Sequence, residues 1–472
     1  MNRILTSQTP DHKGEIVAIA GWVHTRRDHG KITFLDVRDK TGLVQVICTP
    51  QAQEAYETAQ KVRPEWVIQI EGTVQERPKG THNANIPSGS IEIIAKTIIV
   101  LSQAKTLPFA IDTDGYEIGE EKRLQYRYLD LRRSRLINNL SARHRVLQLM
   151  RGFLTKEGFV EIETPVLTKS TPEGARDFVV PSRLYPGTFY ALPQSPQQYK
   201  QLLQVAGIER YFQIARCFRD EDPRADRQPE FTQLDLEMSF VVQEDVMALN
   251  EKLLIEIVQT LYPEKEIQEI PFPRITYKES MAQYGTDRPD IRKDKENKNL
   301  LAFCWVVDFP FFEKDENGGW TFTHNPFSAP KPEYMPDLLA KKNIENILTT
   351  QYDVALNGSE IGGGSIRNHT PEALEKVFEI MGFETERIHK NFGHILEAFS
   401  YGAPPHGGIA WGFDRFISIL QQEPSIREVI AFPKTGDSKD LMMQSPSELD
   451  PAQLKELSIA TSNPSTSLKT RK

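Results

Sequence analysis

The chain has 472 residues, with 57 Lys and Arg against 65 Asp and Glu and a formal net charge of −8. That length allows two or three domains, each with its own core, and excludes a single small module. The acidic balance excludes indiscriminate coating of nucleic acid, although local basic surfaces on an acidic protein still bind RNA. No long uncharged apolar run occurs: the longest, 300 to 312, is interrupted by Asp308, and the start MNRILTSQTPDHKG lacks the apolar middle of a secretion signal. Neither a membrane span nor export is therefore expected, and the cytosol is the default compartment. Cys48, Cys217 and Cys304, odd in number and far apart, fit neither a disulfide framework nor a structural zinc site and are read as ordinary thiols.

In chain order, residues 15 to 100 carry the short alternating or β-branched runs EIVAIAGWV, KITFLDVRD, GLVQVIC, WVIQIEGTV and SIEIIAKTIIV, which predict five strands. AQEAYETAQKV, free of Gly and internal Pro, predicts a helix between the third and fourth. Five strands with one helix after the third is the pattern of an OB barrel, a fold that holds single-stranded nucleic acid, and 1–104 is assigned to it. Residues 105–136 are polar and charged, with Pro108, Asp112, Asp114 and Gly115, and read as a hinge. From Ser141 the period becomes helical: Val146, Leu149, Met150, Phe153 and Leu154 form one apolar face, with Gly158 placed to cap the end. The rest of 137–460 mixes helices with strands close in sequence (ERYFQIARCFRDE, EFTQLDLEMSF, LAFCWVVDF), which predicts an antiparallel sheet flanked by helices and an α+β fold. The last residues, 461–472, read as a mobile tail.

Four segments carry candidate chemistry. FRDEDPRADRQPEFTQLDLEMSF (218–240) crowds Arg219, Asp220, Glu221 and Arg227 into a loop between two strands, followed by Gln228 and Phe231; taken alone, it suits a solvated charged hairpin. GGIAWGFDRFISIL (407–420) leads through Gly412, Phe413 and Asp414 to Arg415 in the first turn of an apolar helix, where a cation opposes the helix dipole but suits a triphosphate. In YDVALNGSEIGGGSIR (352–367), Asp353 and Glu360 are hard oxygen donors of the kind Mg²⁺ accepts, and the glycines allow close backbone approach; a glycine-rich strand end with incidental carboxylates fits equally well. TPEGARDF (171–178) and QSPQQYK (194–200) suit a lid and a buried Lys200, or two ordinary turns.

Together these segments resemble the class II aminoacyl-tRNA synthetases, and nearly the whole chain is similar to the bacterial aspartyl-tRNA synthetases. GFVEIETPVLTKSTPEGARDF, with Pro165, resembles the first class motif, FRDEDPRADRQPEF the second and GFDR the third. The resemblance implies a homodimer built on the first motif, activation of L-aspartate by ATP with Mg²⁺, and transfer to the 3′ end of tRNA-Asp. It places Arg219 on the α-phosphate, Asp220, Glu221, Gln228, Gly412, Phe413 and Asp414 around ATP, Phe231 against adenine and Arg415 on the far phosphates. Asp353 and Glu360 become the Mg²⁺ carboxylates. Glu173, Gln197, Asp235 and His324 hold the α-ammonium end or close over the site, and Lys200 with Arg367, beside Arg219, grip the substrate's carboxylates. In the barrel, Arg26, Arg27, Phe34 and Gln45 are implied to read the anticodon.

Two barrel positions, His29 and Gly80, resemble relaxed enzymes that also charge tRNA-Asn, where strict ones tend to carry Leu and Lys; the second product would pass to an amidotransferase. The inserted domain usual in bacterial relatives is expected to be missing near 288–300, and the family's His-His-Pro-Phe-Thr stands here as His324-Asn325-Pro326-Phe327-Ser328. The rivals are an enzyme restricted to tRNA-Asp, an asparaginyl- or lysyl-type synthetase, and, from another class, a tRNA-binding regulator without catalysis.

Overall fold

The computed structural model describes residues 2–170, 174–221, 227–315 and 318–461, which divide into two compact units, 1–110 and 111–472.

The first unit is a closed five-stranded barrel of β1 (Ile16–His29), β2 (Ile32–Asp39), β3 (Gly42–Cys48), β4 (Val67–Glu76) and β5 (Ile91–Ser102), with α1 (Gln53–Lys61) between β3 and β4. The alternation read in the sequence is the alternation of burial: Leu35, Val37, Val44 and Val46 fill the interior, and their neighbours face out. This is the expected OB architecture, strand for strand.

In the second unit, α2 (Glu120–Gln125) and α3 (Arg127–Asp130) lead into α4 (Ser134–Lys156), which ends at Gly158 with φ +82°. There follow β6 (Val160–Glu161), α5 (Gln197–Val205), β7 (Arg210–Phe218), β8 (Glu230–Ser239) and α6 (Gln243–Leu261). Then come β9 (Arg274–Thr276), β10 (Phe303–Val307), β11 (Gln351–Leu356), β12 (Ser359–Ile366), α7 (Pro371–Ile380), α8 (Thr385–Ser400), β13 (His406–Gly412) and α9 (Phe413–Leu420). The strands form one eight-stranded sheet in the order β9-β10-β11-β12-β13-β8-β7-β6. Its centre is antiparallel as expected, but the two edge pairs, β6 with β7 and β9 with β10, are parallel. One face packs apolar residues of α4 (Val146, Met150), α6 (Leu253, Ile257) and α9 (Phe416, Ile417) against Leu234, Leu236, Trp305 and Trp411. The other face is polar and holds the site. Helix α4 begins seven residues before Ser141, because Leu136 and Asn139 are also buried.

The expected hinge needs correction. Residues 111–136 fall within the second unit, and Arg123, Arg127, Asp130 and Arg133 are buried, while Asp112, Asp114, Glu117, Glu121 and Lys122 stay exposed. Asp130 accepts hydrogen bonds from Arg127 (2.7 Å) and Arg133 (2.7 Å), while Arg123 and Arg135 both pair with Glu428. Arg127 also donates to the carbonyls of Arg427, Ile430 and Ala431. Composition alone cannot tell a solvated charge from one matched inside the fold. The three cysteines are free and buried, and no helix among the described residues is long and apolar enough to cross a membrane.

Candidate active site

Cross-strand register assembles the polar face of the sheet in rows. Directly opposed residues share a face, so Asp353, Gly363, Ala410, Asp235 and Gln213 form one row across β11, β12, β13, β8 and β7. Gln351, Ser365, Gly408, Glu237 and Tyr211 form the next. The row centres must be small: a Cβ on Gly408 would lie 2.1 Å from Glu237 Oε2, and one on Gly363 would lie 2.7 Å from Asp353 Oδ1. The glycine-rich run that was ambiguous in sequence is thus a floor between carboxylates.

On this floor Lys200 Nζ, from α5, lies 2.7 Å from Asp235 Oδ1 and 3.1 Å from Glu237 Oε2. Arg367 donates to Glu237 Oε1 at 2.8 Å and to Ser365 Oγ at 2.9 Å. All four charged side chains are buried. Burial pushes the Glu237 carboxyl up, but Arg367 and Lys200 outweigh it and hold the group at about 2. Burial dominates at Asp235, whose pKa is raised, and its Oδ2 has no partner of hydrogen-bond geometry among the described residues.

Beside this tetrad is a cleft of about 240 Å³ whose lining includes Arg219, Glu221, Gln228, Phe231, Glu360, Gly412, Asp414 and Arg415. These are eight of the ten residues expected around ATP. The Arg219 guanidinium stands 5.2 Å from the centre of the Phe231 ring, so a planar base has an aromatic face and a cation within reach of each other. Arg415 donates to the Glu360 carbonyl. Asp414 ties three elements together, accepting from the Thr232 amide on β8 (2.8 Å) and from Arg143 on α4. Gln228 spends its amide on the main chain of Lys434, donating to the carbonyl (3.1 Å) and accepting from the N–H (2.7 Å), so it pins the cleft wall.

Two expected cleft residues lie elsewhere. Phe413 is wholly buried in the apolar core, under the Arg143 guanidinium, because the helix that presents Arg415 turns the Phe413 side inward. Asp220 pairs through its main chain with Arg176 rather than lining the cleft.

Asp353 and Glu360 stand on adjacent strands, near enough for the charge of one to act on the other. Burial, then the Glu360 charge, raises the Asp353 pKa well above the usual carboxylate range, and Gln351 Nε2 contacts both Asp353 oxygens (3.2 and 3.3 Å). Two neighbouring hard oxygen donors, one of them destabilised as an anion, are of the kind that could hold a divalent cation. His324 is exposed above Gly363, its Cε1 3.2 Å from where a Cβ there would sit. Gln197 lies on the same buried face of α5 as Lys200. Glu173 falls outside the described residues.

Sequence reasoning missed Glu237, the group that joins Lys200 to Arg367. The signal was present: in QLDLEMS, polar Gln233, Asp235, Glu237 and Ser239 alternate with apolar Leu234, Leu236 and Met238. A strand buried on both faces with one face acidic needs cations opposite. Gln194 was also missed; it donates to the Ala175 carbonyl and Asp177 and accepts from the Ala175 amide, holding the end of the expected lid.

On the barrel, Arg27 pairs in register with Phe34, and Asp36 with Gln45, all on the outer face. Arg27 bonds Asp36 at 3.0 Å, and Gln45 donates to Glu92 at 3.0 Å. His29 is exposed at the end of β1, and Gly80 is exposed in the β4–β5 connection. Arg26 donates to the Gln60 and Val62 carbonyls and to Asp28, which ties it to the end of α1.

Comparison with known proteins agrees with this arrangement. Residues 119–436 match the family of tRNA synthetases class II (D, K and N), and 17–101 match the OB-fold nucleic acid binding domain. The chain is 40% identical to an aspartate--tRNA(Asp/Asn) ligase of Dehalococcoides mccartyi, covering 96% of this chain and 97% of that one. It is 42% identical to one of Heliobacterium modesticaldum, covering 95% and 94%. The first alignment spans 586 positions against 472 residues here, so the relative carries sequence that this chain lacks. Among solved structures, the asparaginyl-tRNA synthetase of Pyrococcus horikoshii complexed with asparaginyl-adenylate superposes with a TM-score of 0.73 at 23% identity, covering 96% of this chain and 100% of that one. A putative aspartyl-tRNA synthetase of Leishmania major Friedlin gives 0.75 at 21%, covering 92% and 94%. An OB barrel, an antiparallel-centred sheet and relatives matched almost end to end place this chain in the class II aminoacyl-tRNA synthetases, within the family of aspartate–tRNA ligases.

Proposed function

We propose that the protein is an aspartate–tRNA ligase that activates L-aspartate with ATP and esterifies it to the 3′ end of tRNA-Asp and tRNA-Asn. The observation that carries this reading is the buried tetrad Lys200, Asp235, Glu237 and Arg367 beside a cleft lined by Arg219, Phe231 and Arg415. In the first step the α-carboxylate of aspartate attacks the α-phosphorus, the new P–O bond forms and pyrophosphate leaves. No protein nucleophile or general base is needed, only alignment and neutralised charge, which Arg219 and Arg415 supply. In the second step the terminal ribose hydroxyl of tRNA attacks the mixed anhydride and AMP leaves.

Lys200 and Arg367 face the substrate's side-chain carboxylate, with Glu237 fixing their spacing. Asparagine would turn an NH2 toward one of these cationic donors where aspartate offers an acceptor, losing a hydrogen bond to a charged group, about 2 kcal/mol. Asp235, with its unpartnered oxygen, and Gln197 suit the α-ammonium. Asp353 and Glu360 would hold Mg²⁺, which when bound neutralises phosphate charge. The exposed Val160, Val166 and Leu167 of the first-motif segment support a homodimer. The position of the missing insertion is read at the short segment between β9 and β10.

His29 and Gly80 support charging of tRNA-Asn, which would hand aspartyl-tRNA-Asn to an amidotransferase. The test is aminoacylation of purified tRNA-Asp and tRNA-Asn with labelled aspartate. Charging of both is expected; tRNA-Asp alone would leave the restricted enzyme, and charging of neither with no ATP–pyrophosphate exchange would leave the regulator.

A further inference from the structure

On the inner face of α5, Gln197, Lys200, Gln201 and Gln204 recur at helical spacing, and all are buried. Lys200 belongs to the charged tetrad and Gln204 accepts from Ser239, but Gln197 and Gln201 belong to a separate chain of contacts. Gln197 Nε2 lies 3.0 Å from Gln201 Oε1, Gln201 Nε2 lies 3.2 Å from His406 Nε2, and His406 Nδ1 lies 2.8 Å from the Pro404 carbonyl oxygen. Gln201 and His406 are wholly removed from solvent, and Gln197 is 5% exposed.

The far end dictates the direction of this chain. A carbonyl oxygen can only accept, so His406 Nδ1 carries the hydrogen. Burial pushes the ring pKa down to about 4, against the pull of the Glu237 charge, so the ring is neutral and Nε2 presents a lone pair. Gln201 must then turn its NH2 to His406 and its carbonyl to Gln197, and Gln197 must turn its NH2 to Gln201. What remains is the Gln197 carbonyl oxygen, which makes no hydrogen bond among the described residues. A single flipped amide would set two donors or two acceptors face to face in a buried place, which removes a hydrogen bond and strands polar atoms.

We propose that His406 is a positioning residue: through Gln201 it locks the amide of Gln197 so that the carbonyl oxygen, rather than the NH2, meets the α-ammonium of the amino-acid substrate. The inference rests on the amino-acid-activating function proposed above. It assigns a role in substrate recognition to a side chain that stands behind two glutamines, at the start of β13.

The test is aspartate-dependent ATP–pyrophosphate exchange by the full chain, comparing wild type with His406→Asn and His406→Gln. The glutamine amide reaches the Nε2 position and can accept from Gln201, whereas the asparagine amide reaches only the Nδ1 position and leaves Gln201 free to turn. His406→Gln is expected to keep KM for aspartate within about twofold. His406→Asn should raise it about tenfold, the worth of one hydrogen bond to a charged group, with KM for ATP unchanged in both. Gln201→Met, of similar volume, breaks the link without touching the ring and should give the same rise, so the outcome does not depend on one variant folding. Unchanged KM for aspartate in all variants, or equal rises for aspartate and ATP, would overturn the proposal. No exchange by wild type would instead remove the activation reading on which it stands.

Discussion

Lys200 Nζ stands 3.1 Å from Glu237 Oε2, and Glu237 Oε1 in turn receives Arg367 Nε at 2.8 Å. One carboxylate therefore holds two buried cations at a fixed separation before any substrate arrives. Glu237→Gln leaves Lys200 and Arg367 with Asp235 as their nearby anion, and breaking such a buried pair costs about 3–5 kcal/mol. Urea denaturation should show a clearly lower midpoint, together with a higher KM for aspartate in exchange. A variant with the wild-type midpoint would show that Glu237 does not hold the pair together.

Acid should expose the same dependence. Burial raises the Glu237 and Glu428 carboxyls, but Arg367 with Lys200 and Arg123 with Arg135 outweigh it and hold each at about 2, below the ordinary 4.5. The unfolded chain therefore takes up these protons first as pH falls. The stabilisation is fully present above the unfolded value and is lost as pH falls from about 5 towards 2. Urea midpoints measured from pH 5 down to pH 3 should decline in wild type and decline less steeply in Glu428→Gln. Parallel slopes would remove Glu428 as a source of acid lability.

Asp353 has the opposite sign. Burial and the Glu360 charge raise its pKa, so its ionised form costs stability when no cation is bound. Asp353→Asn should stabilise the metal-free protein by on the order of 1 kcal/mol and so raise its melting temperature, yet lower Mg²⁺-dependent exchange. Thermal shift with and without Mg²⁺·ATP reads both effects. A variant stabilised by Mg²⁺·ATP as strongly as wild type would take Asp353 out of the metal site.

Arg219 links the Phe231 face of the cleft to the Gln194 carbonyl, toward which its Nε is directed at 3.4 Å. Arg219→Ala should lower exchange by about a hundredfold or more while leaving tRNA binding, measured by filter retention, close to wild type. Unchanged exchange would remove Arg219 from the chemistry.

Specificity for tRNA should move with the barrel. His29→Leu combined with Gly80→Lys should reduce charging of tRNA-Asn relative to tRNA-Asp, with ATP–pyrophosphate exchange unchanged. Gly80 has φ +87° and no atom within 4 Å of an added Cβ, so the lysine fits but carries a backbone cost of about 1 kcal/mol. An unchanged charging ratio would refute a role for these positions.

Much of this protein was legible in the sequence because its signals are local. Period-two burial sets the barrel strands, a 3.6-residue period and a left-handed Gly158 set α4, and the resemblance of FRDEDPRADRQPEF and GFDR to two class motifs points to the cleft. What tertiary structure alone decided is which polar groups are matched across distance. Arg123, Arg127 and Arg133 lie in a segment that reads as a polar hinge but are buried against Asp130 and Glu428, and Phe413, placed in the cleft by resemblance, packs in the core. Glu237 acquires its importance only when strand register sets it between Lys200 from α5 and Arg367 beyond β12. A charge's partner lies as far as 305 residues away, as for Arg123 and Glu428. No local period encodes such a partner, because burial of charge is decided by who stands opposite.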